Sequence, residues 1–256
     1  MSKLFILFLY ILILTGCGSE ISNNPNNDPI VNDQLFKTKV IDGYISGANV
    51  YIDFNWNMIQ DANEPSASED IENEYYYWNI SDFSTINNWS KTCSRSRPRI
   101  GEVPAGAIDS VRGVVNDPYE LHYFPKSSSN AEFVNITPLT SLFMSYVNDM
   151  LNGVSIEDVN GCSDESNSIG SRIISKVNEV IIELNNNFNI NAETFYDDFI
   201  ANGDTQLQAY GELIVDFLKT TFNVTRILEI FYDVDLRTQI DRFVVDKILS
   251  QESFDS

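Results

Sequence analysis

Residues 53–65 read Asp-Phe-Asn-Trp-Asn-Met-Ile-Gln-Asp-Ala-Asn-Glu-Pro, and this is the stretch of the chain whose side chains are spaced for chemistry. Side-chain oxygens fall at the first, third, fifth, ninth and twelfth positions, on Asp53, Asn55, Asn57, Asp61 and Glu64, with the carbonyl of Ile59 at the seventh. That is the ligand order of an EF-hand calcium loop. A hard cation takes six to eight oxygens at about 2.3–2.6 Å, and alternate residues of a tightly wound loop aim theirs at one centre. Asp53, Asp61 and Glu64 supply negative charge, while Asn55 and Asn57 supply neutral oxygens without crowding like charges. Met58 departs from the pattern, because the sixth position normally carries glycine for a sharp turn. A side chain held there at positive φ costs about 1 kcal/mol or more. The competing reading is a metal-free loop that keeps its turn through hydrogen bonds from backbone amides to Asp53, Asn55 and Asn57.

The three cysteines carry the other candidate chemistry. Lys3 precedes an apolar run from Leu4 to Leu14, and small residues follow. This is the layout of a secretory signal, and the run is too short for the roughly 20 apolar residues that a spanning helix needs. Leu14-Thr15-Gly16-Cys17 resembles the bacterial lipobox, which implies cleavage before Cys17 and acyl chains of the palmitate type on that residue. The alternative is an ordinary signal peptide with a chance cysteine. Several acyl chains at about 0.8 kcal/mol per methylene make a stable membrane anchor. Gly18 and Ser19 stand where the family carries an aspartate for inner-membrane retention, so the resemblance implies an outer-membrane address in a Gram-negative bacterium. In such an oxidising compartment Cys93 and Cys162 are expected to pair, the alternative being two buried thiols.

The elements that must position the loop follow from patterning. Asn-, Pro- and Asp-rich sequence runs from Cys17 to the region of Phe36 and buries too little apolar surface to fold, so it reads as a tether. Ala48, Val50 and Ile52 alternate with Asn49, Tyr51 and Asp53, as on a half-buried strand, and residues 38–53 read as two strands. Further strands are expected at Tyr75 to Ile80, Ile100 to Val103 and Glu120 to Phe124. The aromatics of the first of these suit either cross-strand packing or a sugar-stacking platform. Thr137-Pro138 marks a helix start, with apolar residues from Leu139 to Met150 at three- and four-residue steps and Gly153 at its end. Similar periodicity predicts helices over 168–188 and 205–222, with shorter ones near 192–201, 223–232 and 236–250. The fold class is therefore α+β, a small N-terminal β-sandwich followed by an α-helical C-terminal domain. The segments are 1–16 (signal), 17–36 (tether), 37–130 (β-sandwich-like) and 131–256 (helical). Apolar helix stripes read as shared core, and acids such as Asp197, Asp198 and Glu229 as solvated faces.

Residues 40–53, Val-Ile-Asp-Gly-Tyr-Ile-Ser-Gly-Ala-Asn-Val-Tyr-Ile-Asp, resemble the opening of a group of uncharacterised bacterial exported lipoproteins. The resemblance continues loosely through residues 103–109 and 135–142, to past residue 210. That group is similar at its N-terminal end to transthyretin-like or carboxypeptidase-regulatory-like modules, where the sandwich is a scaffold. Residues 53–65 are also similar to calcium loops of bacterial surface sandwiches, which read Asp-x-Asn-Gly-Asn-Gly-x-x-Asp-x-Gly-Glu-Pro. Trp56, Met58 and Asn63 replace the three glycines. The resemblance implies a cell-envelope address and calcium, and it brings no catalytic residue.

With 37 acidic against 16 basic residues and a net charge of −21, the chain repels phosphate backbones, so no nucleic-acid partner is expected. It has a single histidine, His122, and lacks a Gly-x-Ser-x-Gly elbow, a zinc-type Cys/His spacing and a phosphate-binding glycine loop. The expected function is a non-catalytic binding or scaffold module on the membrane, stabilised by calcium, facing glycan, peptide or a neighbouring envelope protein. The alternative is an envelope hydrolase acting on glycan or peptide through paired carboxylates.

Overall fold

The computed structural model describes residues 34–126, 132–151, 161–188 and 191–219. The signal segment, Cys17, the tether up to residue 33 and the helices expected at 223–232 and 236–250 lie outside the described residues.

In chain order the β-rich part runs β1 (Gln34–Val40), β2 (Ile45–Ser46), β3 (Asn49–Ile52), β4 (Ser68–Asp70) and β5 (Tyr75–Asn79). After a short helix, α1 (Lys91–Arg95), come β6 (Arg99–Val103), β7 (Ile108–Asp109), β8 (Gly113–Val114), β9 (Tyr119–Tyr123) and β10 (Phe133–Ile136). The helical part holds α2 (Pro138–Ser141), α3 (Met144–Leu151), α4 (Asp164–Phe188) and α5 (Thr205–Lys219). The chain is α+β, with several sheets in its N-terminal part and helices in its C-terminal part. β1 begins inside the stretch read as tether, and β10 lies beyond residue 130 yet pairs in parallel with β1.

Three sheets form, with strand orders β10-β1-β5-β4, β2-β7-β8 and β3-β6-β9. The first and third bury their facing side chains in one core, Phe36, Val40, Trp78 and Ile136 with Val50, Ile52, Val103 and Leu121. Gly101 of β6 lies against this contact, since a Cβ there would stand 3.3 Å from Val40 Cγ2. A second core joins Ile41, Trp56 and Phe124 to Leu139, Ile173, Val177, Val180 and Ile214 of the helices. The helix stripes are therefore core. The half-buried reading of residues 48–53 is corrected: Val50, Tyr51, Ile52 and Asp53 are all buried, and Tyr51 lies under the following loop, its OH donating to Met58 O at 3.4 Å. β5 does alternate, with Tyr76 and Trp78 inside and Tyr75 and Tyr77 partly exposed.

Thr137 caps α2 as its sequence requires, its hydroxyl accepting from Thr140 N at 3.0 Å. The expected long helix nevertheless breaks at Leu142 and Phe143 into α2 and α3. Thr140 Oγ1 donates to the carbonyl of His122 at 2.7 Å, and Ser141 Oγ accepts from His122 N at 2.8 Å, so tertiary bonds to β9 hold the first turn. The segment near 192–201 forms only a 3₁₀ turn at Ala192–Tyr196. Asp198 is not a solvated helix acid: it pairs with Lys39 Nζ at 2.9 Å and accepts from Tyr44 OH at 2.9 Å. Cys93 of α1 and Cys162, just before α4, stand at disulfide distance with Sγ atoms 2.05 Å apart.

Candidate metal centre

The loop leaves β3 at Asp53, which is anchored by its N–H donating to Pro98 O at 3.2 Å. Its carboxylate then organises the turn. Asp53 Oδ1 accepts from the amides of Asn55 at 3.1 Å and Trp56 at 2.7 Å, and Oδ2 accepts from Met58 N at 2.9 Å. Asn55 Oδ1 accepts from Asn57 N, and Asn57 Oδ1 from Ile59 N, repeating the same local turn. Glu64 closes the loop, its Oε1 accepting from Phe54 N at 2.6 Å and its Oε2 from Asp61 N at 3.1 Å. Asn55 and Asn57 both turn their amide nitrogens onto Asp61 Oδ2, the second at 3.0 Å. All five side chains expected to carry ligand oxygens are thus brought together. Ile59 turns its side chain to solvent, 66 % exposed.

Left-handed backbone falls at two of the three positions that carry glycine in the calcium-loop pattern. Trp56 has φ +66° and Met58 φ +60°. Asn63, at the third substituted glycine, is not among the positive-φ residues. A non-glycine residue in this region costs about 1–2 kcal/mol, and two in one loop persist only because the surroundings over-determine them. For Trp56 those surroundings are visible. The indole is fully buried in the helix-facing core, and the guanidinium of Arg97 lies 5.6 Å from its ring.

The electrostatics are unbalanced toward negative charge. Burial pushes the Asp53 carboxyl up to about 6, against the amides of Met58, Trp56, Asn55 and Asn57 that hold it ionised. Burial, and then the charge of Asp53, push Glu64 up to about 8. Arg97, fully buried, is the positive group beside them. Burial draws it down to about 10, and the charge of Asp53 opposes that shift.

The donor set suits calcium in composition: three carboxylates, two amide oxygens and a backbone carbonyl, all hard oxygens. Each carboxylate or amide oxygen that accepts one N–H retains a further lone pair. Asn55 and Asn57 donate from Nδ2 to Asp61 Oδ2, so their amide nitrogens, not their oxygens, face that carboxylate. Among the described residues no group of three or more His, Cys, Asp and Glu side chains is placed to hold a metal ion, so a cation here would draw on the asparagine and carbonyl oxygens as well. Asp53, Asn55, Asn57, Ile59, Asp61 and Glu64 are the residues that would hold it.

Sequence reasoning missed Trp56 and Arg97 as parts of this centre. A tryptophan in a glycine position was the available signal for the first. Arg97 lies in the run Ser-Arg-Ser-Arg-Pro-Arg, where nothing distinguishes a buried arginine from an exposed one. Among the described residues no helix is long and apolar enough to cross a membrane. Comparison with protein-family models, curated proteins and solved structures finds no match to this chain.

Proposed function

We propose that this chain is a non-catalytic binding or scaffold module of the bacterial cell envelope, held on a membrane by lipid at Cys17, whose 53–64 loop takes calcium. The observation that carries the calcium reading is the convergence of Asn55, Asn57 and Asp61 beside a buried Asp53 and Glu64, in a loop already wound by its own amides. A cation there would neutralise carboxylates that burial otherwise drives toward protonation. Its role would be structural, because Asp53 and Glu64 are buried and engaged by backbone amides rather than open to a substrate.

The membrane address rests on the Leu14-Thr15-Gly16-Cys17 motif, and the scaffold role on a sandwich-like core joined to helices through the loop. A scaffold of this kind presents its surface to a glycan, a peptide or a neighbouring envelope protein. Affinity capture from native envelopes, with calcium and with a chelator, tests the reading. A defined envelope partner retained in calcium and lost in chelator is the expected result. Turnover of a glycan or peptide library by the purified chain would overturn the non-catalytic assignment, and unchanged membrane partitioning of Cys17→Ser would overturn the anchor.

A further inference from the structure

The loop does not end at its own turn. The carbonyl of Phe54 accepts from Arg97 Nε at 3.2 Å and from Ser166 Oγ, in the first turn of α4, at 2.9 Å. The same guanidinium donates through Nη2 to Ser166 Oγ at 2.5 Å, to Asn167 Oδ1 at 3.0 Å and to Gly161 O at 3.4 Å, and through Nη1 to Ser96 Oγ at 2.9 Å. Gly161 directly precedes Cys162 of the disulfide. On the other side of Arg97, the Trp56 indole lies so close to α4 that a Cβ on Gly170 would stand 3.0 Å from Cζ2 and 3.1 Å from Arg97 Nη1.

Trp56 therefore occupies a glycine position in the loop and requires a glycine in the helix. The loop's strained backbone and the bare face of α4 are complementary halves of one contact. We infer that Trp56 and Arg97 join the 53–64 loop and the first turns of α4 into one cooperative unit, so that ordering the loop by a cation also tightens α4 against the sheets. The calcium part of this inference rests on the function proposed above; the coupling itself does not.

Hydrogen exchange of the whole chain, read by mass spectrometry, separates the two. Gly170→Ala favours α4 on helix propensity alone, yet it pushes on the indole. Its expected result is roughly tenfold faster exchange at the Trp56 and Met58 amides, with the α4 amides beyond residue 173 unchanged. Loop amides that exchange as in the parent chain would overturn the coupling. Trp56→Phe, which leaves α4 untouched, tests the reverse direction and serves if Gly170→Ala folds poorly. Amides of residues 166–172 should exchange faster in it, and unchanged exchange there would overturn the coupling.

In the parent chain, calcium is expected to slow loop amides and α4 first-turn amides over the same concentration range. Slowing confined to the loop would overturn the transmission to α4. If neither segment responds, the calcium reading fails, and the two variants still decide whether loop and helix are coupled.

Discussion

Replacing Trp56 by glycine and by alanine gives an ordering opposite to the usual one. Deleting a fully buried tryptophan side chain costs about 3–5 kcal/mol. Part of that returns, because the indole Nε1 is buried with no hydrogen-bond partner among the described residues, and removing such a donor recovers about 1–3 kcal/mol. Both replacements share these terms, which together destabilise by about 0–4 kcal/mol. They differ at φ +66°, where alanine keeps a strain of about 1–2 kcal/mol that glycine relieves. Against this, glycine costs about 0.5–1 kcal/mol in unfolded-state entropy. Trp56→Gly should therefore be more stable than Trp56→Ala, by up to about 1.5 kcal/mol. Equilibrium urea unfolding reads this as the difference between the two midpoints, provided the slopes agree. An alanine variant as stable as the glycine variant, or more so, would refute the left-handed assignment at Trp56 and the strain argument with it.

Met58 is only partly buried and also left-handed, so Met58→Gly, relieving about 1–2 kcal/mol of strain against about 0.5–1 kcal/mol of unfolded-state entropy, should be more stable than Met58→Ala and tighten calcium binding, checked by the same unfolding series and by titration calorimetry. In calcium-free protein, stability should fall as pH rises from the ordinary glutamate value of 4.5 toward about 8, because native Glu64 keeps a proton that the unfolded chain has already released. Asp53, raised to about 6, adds to the fall over the lower part of that window. Urea midpoints at about pH 5 and pH 8 measure it, and Glu64→Gln should flatten the upper part of the slope. Reducing the Cys93–Cys162 crosslink, which closes a separation of 69 residues, should lower the unfolding free energy by about 4 kcal/mol, read from denaturation with and without reductant.

The winding of the loop was legible because it is local: Asp53, Asn55, Asn57 and Glu64 accept from amides a few residues away whatever packs around them. The strand β5, read from its run of aromatics, and the Thr137-Pro138 helix start were legible for the same reason, each depending on neighbours a few residues away. Tertiary overrides were not. Residues 48–53 alternate as though one face were wet, but Val50, Tyr51, Ile52 and Asp53 are all buried, and the 53–64 loop folds back so that Tyr51 OH donates to Met58 O. Asp198 looked solvated until Lys39 and Tyr44 reached it across more than 150 positions. The short strands β4, β7, β8 and β10 have too few residues to display a period. Trp56 and Arg97 are the instructive pair. The substituted glycine was noticed as a loss, whereas in the fold it is the point at which the loop grips α4.

Calorimetric titration of the purified chain with calcium, at neutral pH and paired with thermal melting, tests the central claim most directly. The account predicts saturable binding at one site in the millimolar range or tighter, as for extracellular calcium modules, with a rise in melting temperature that Asp61→Ala abolishes. No calcium-dependent heat and no melting shift at millimolar calcium would contradict it, leaving a loop held by its own amides alone.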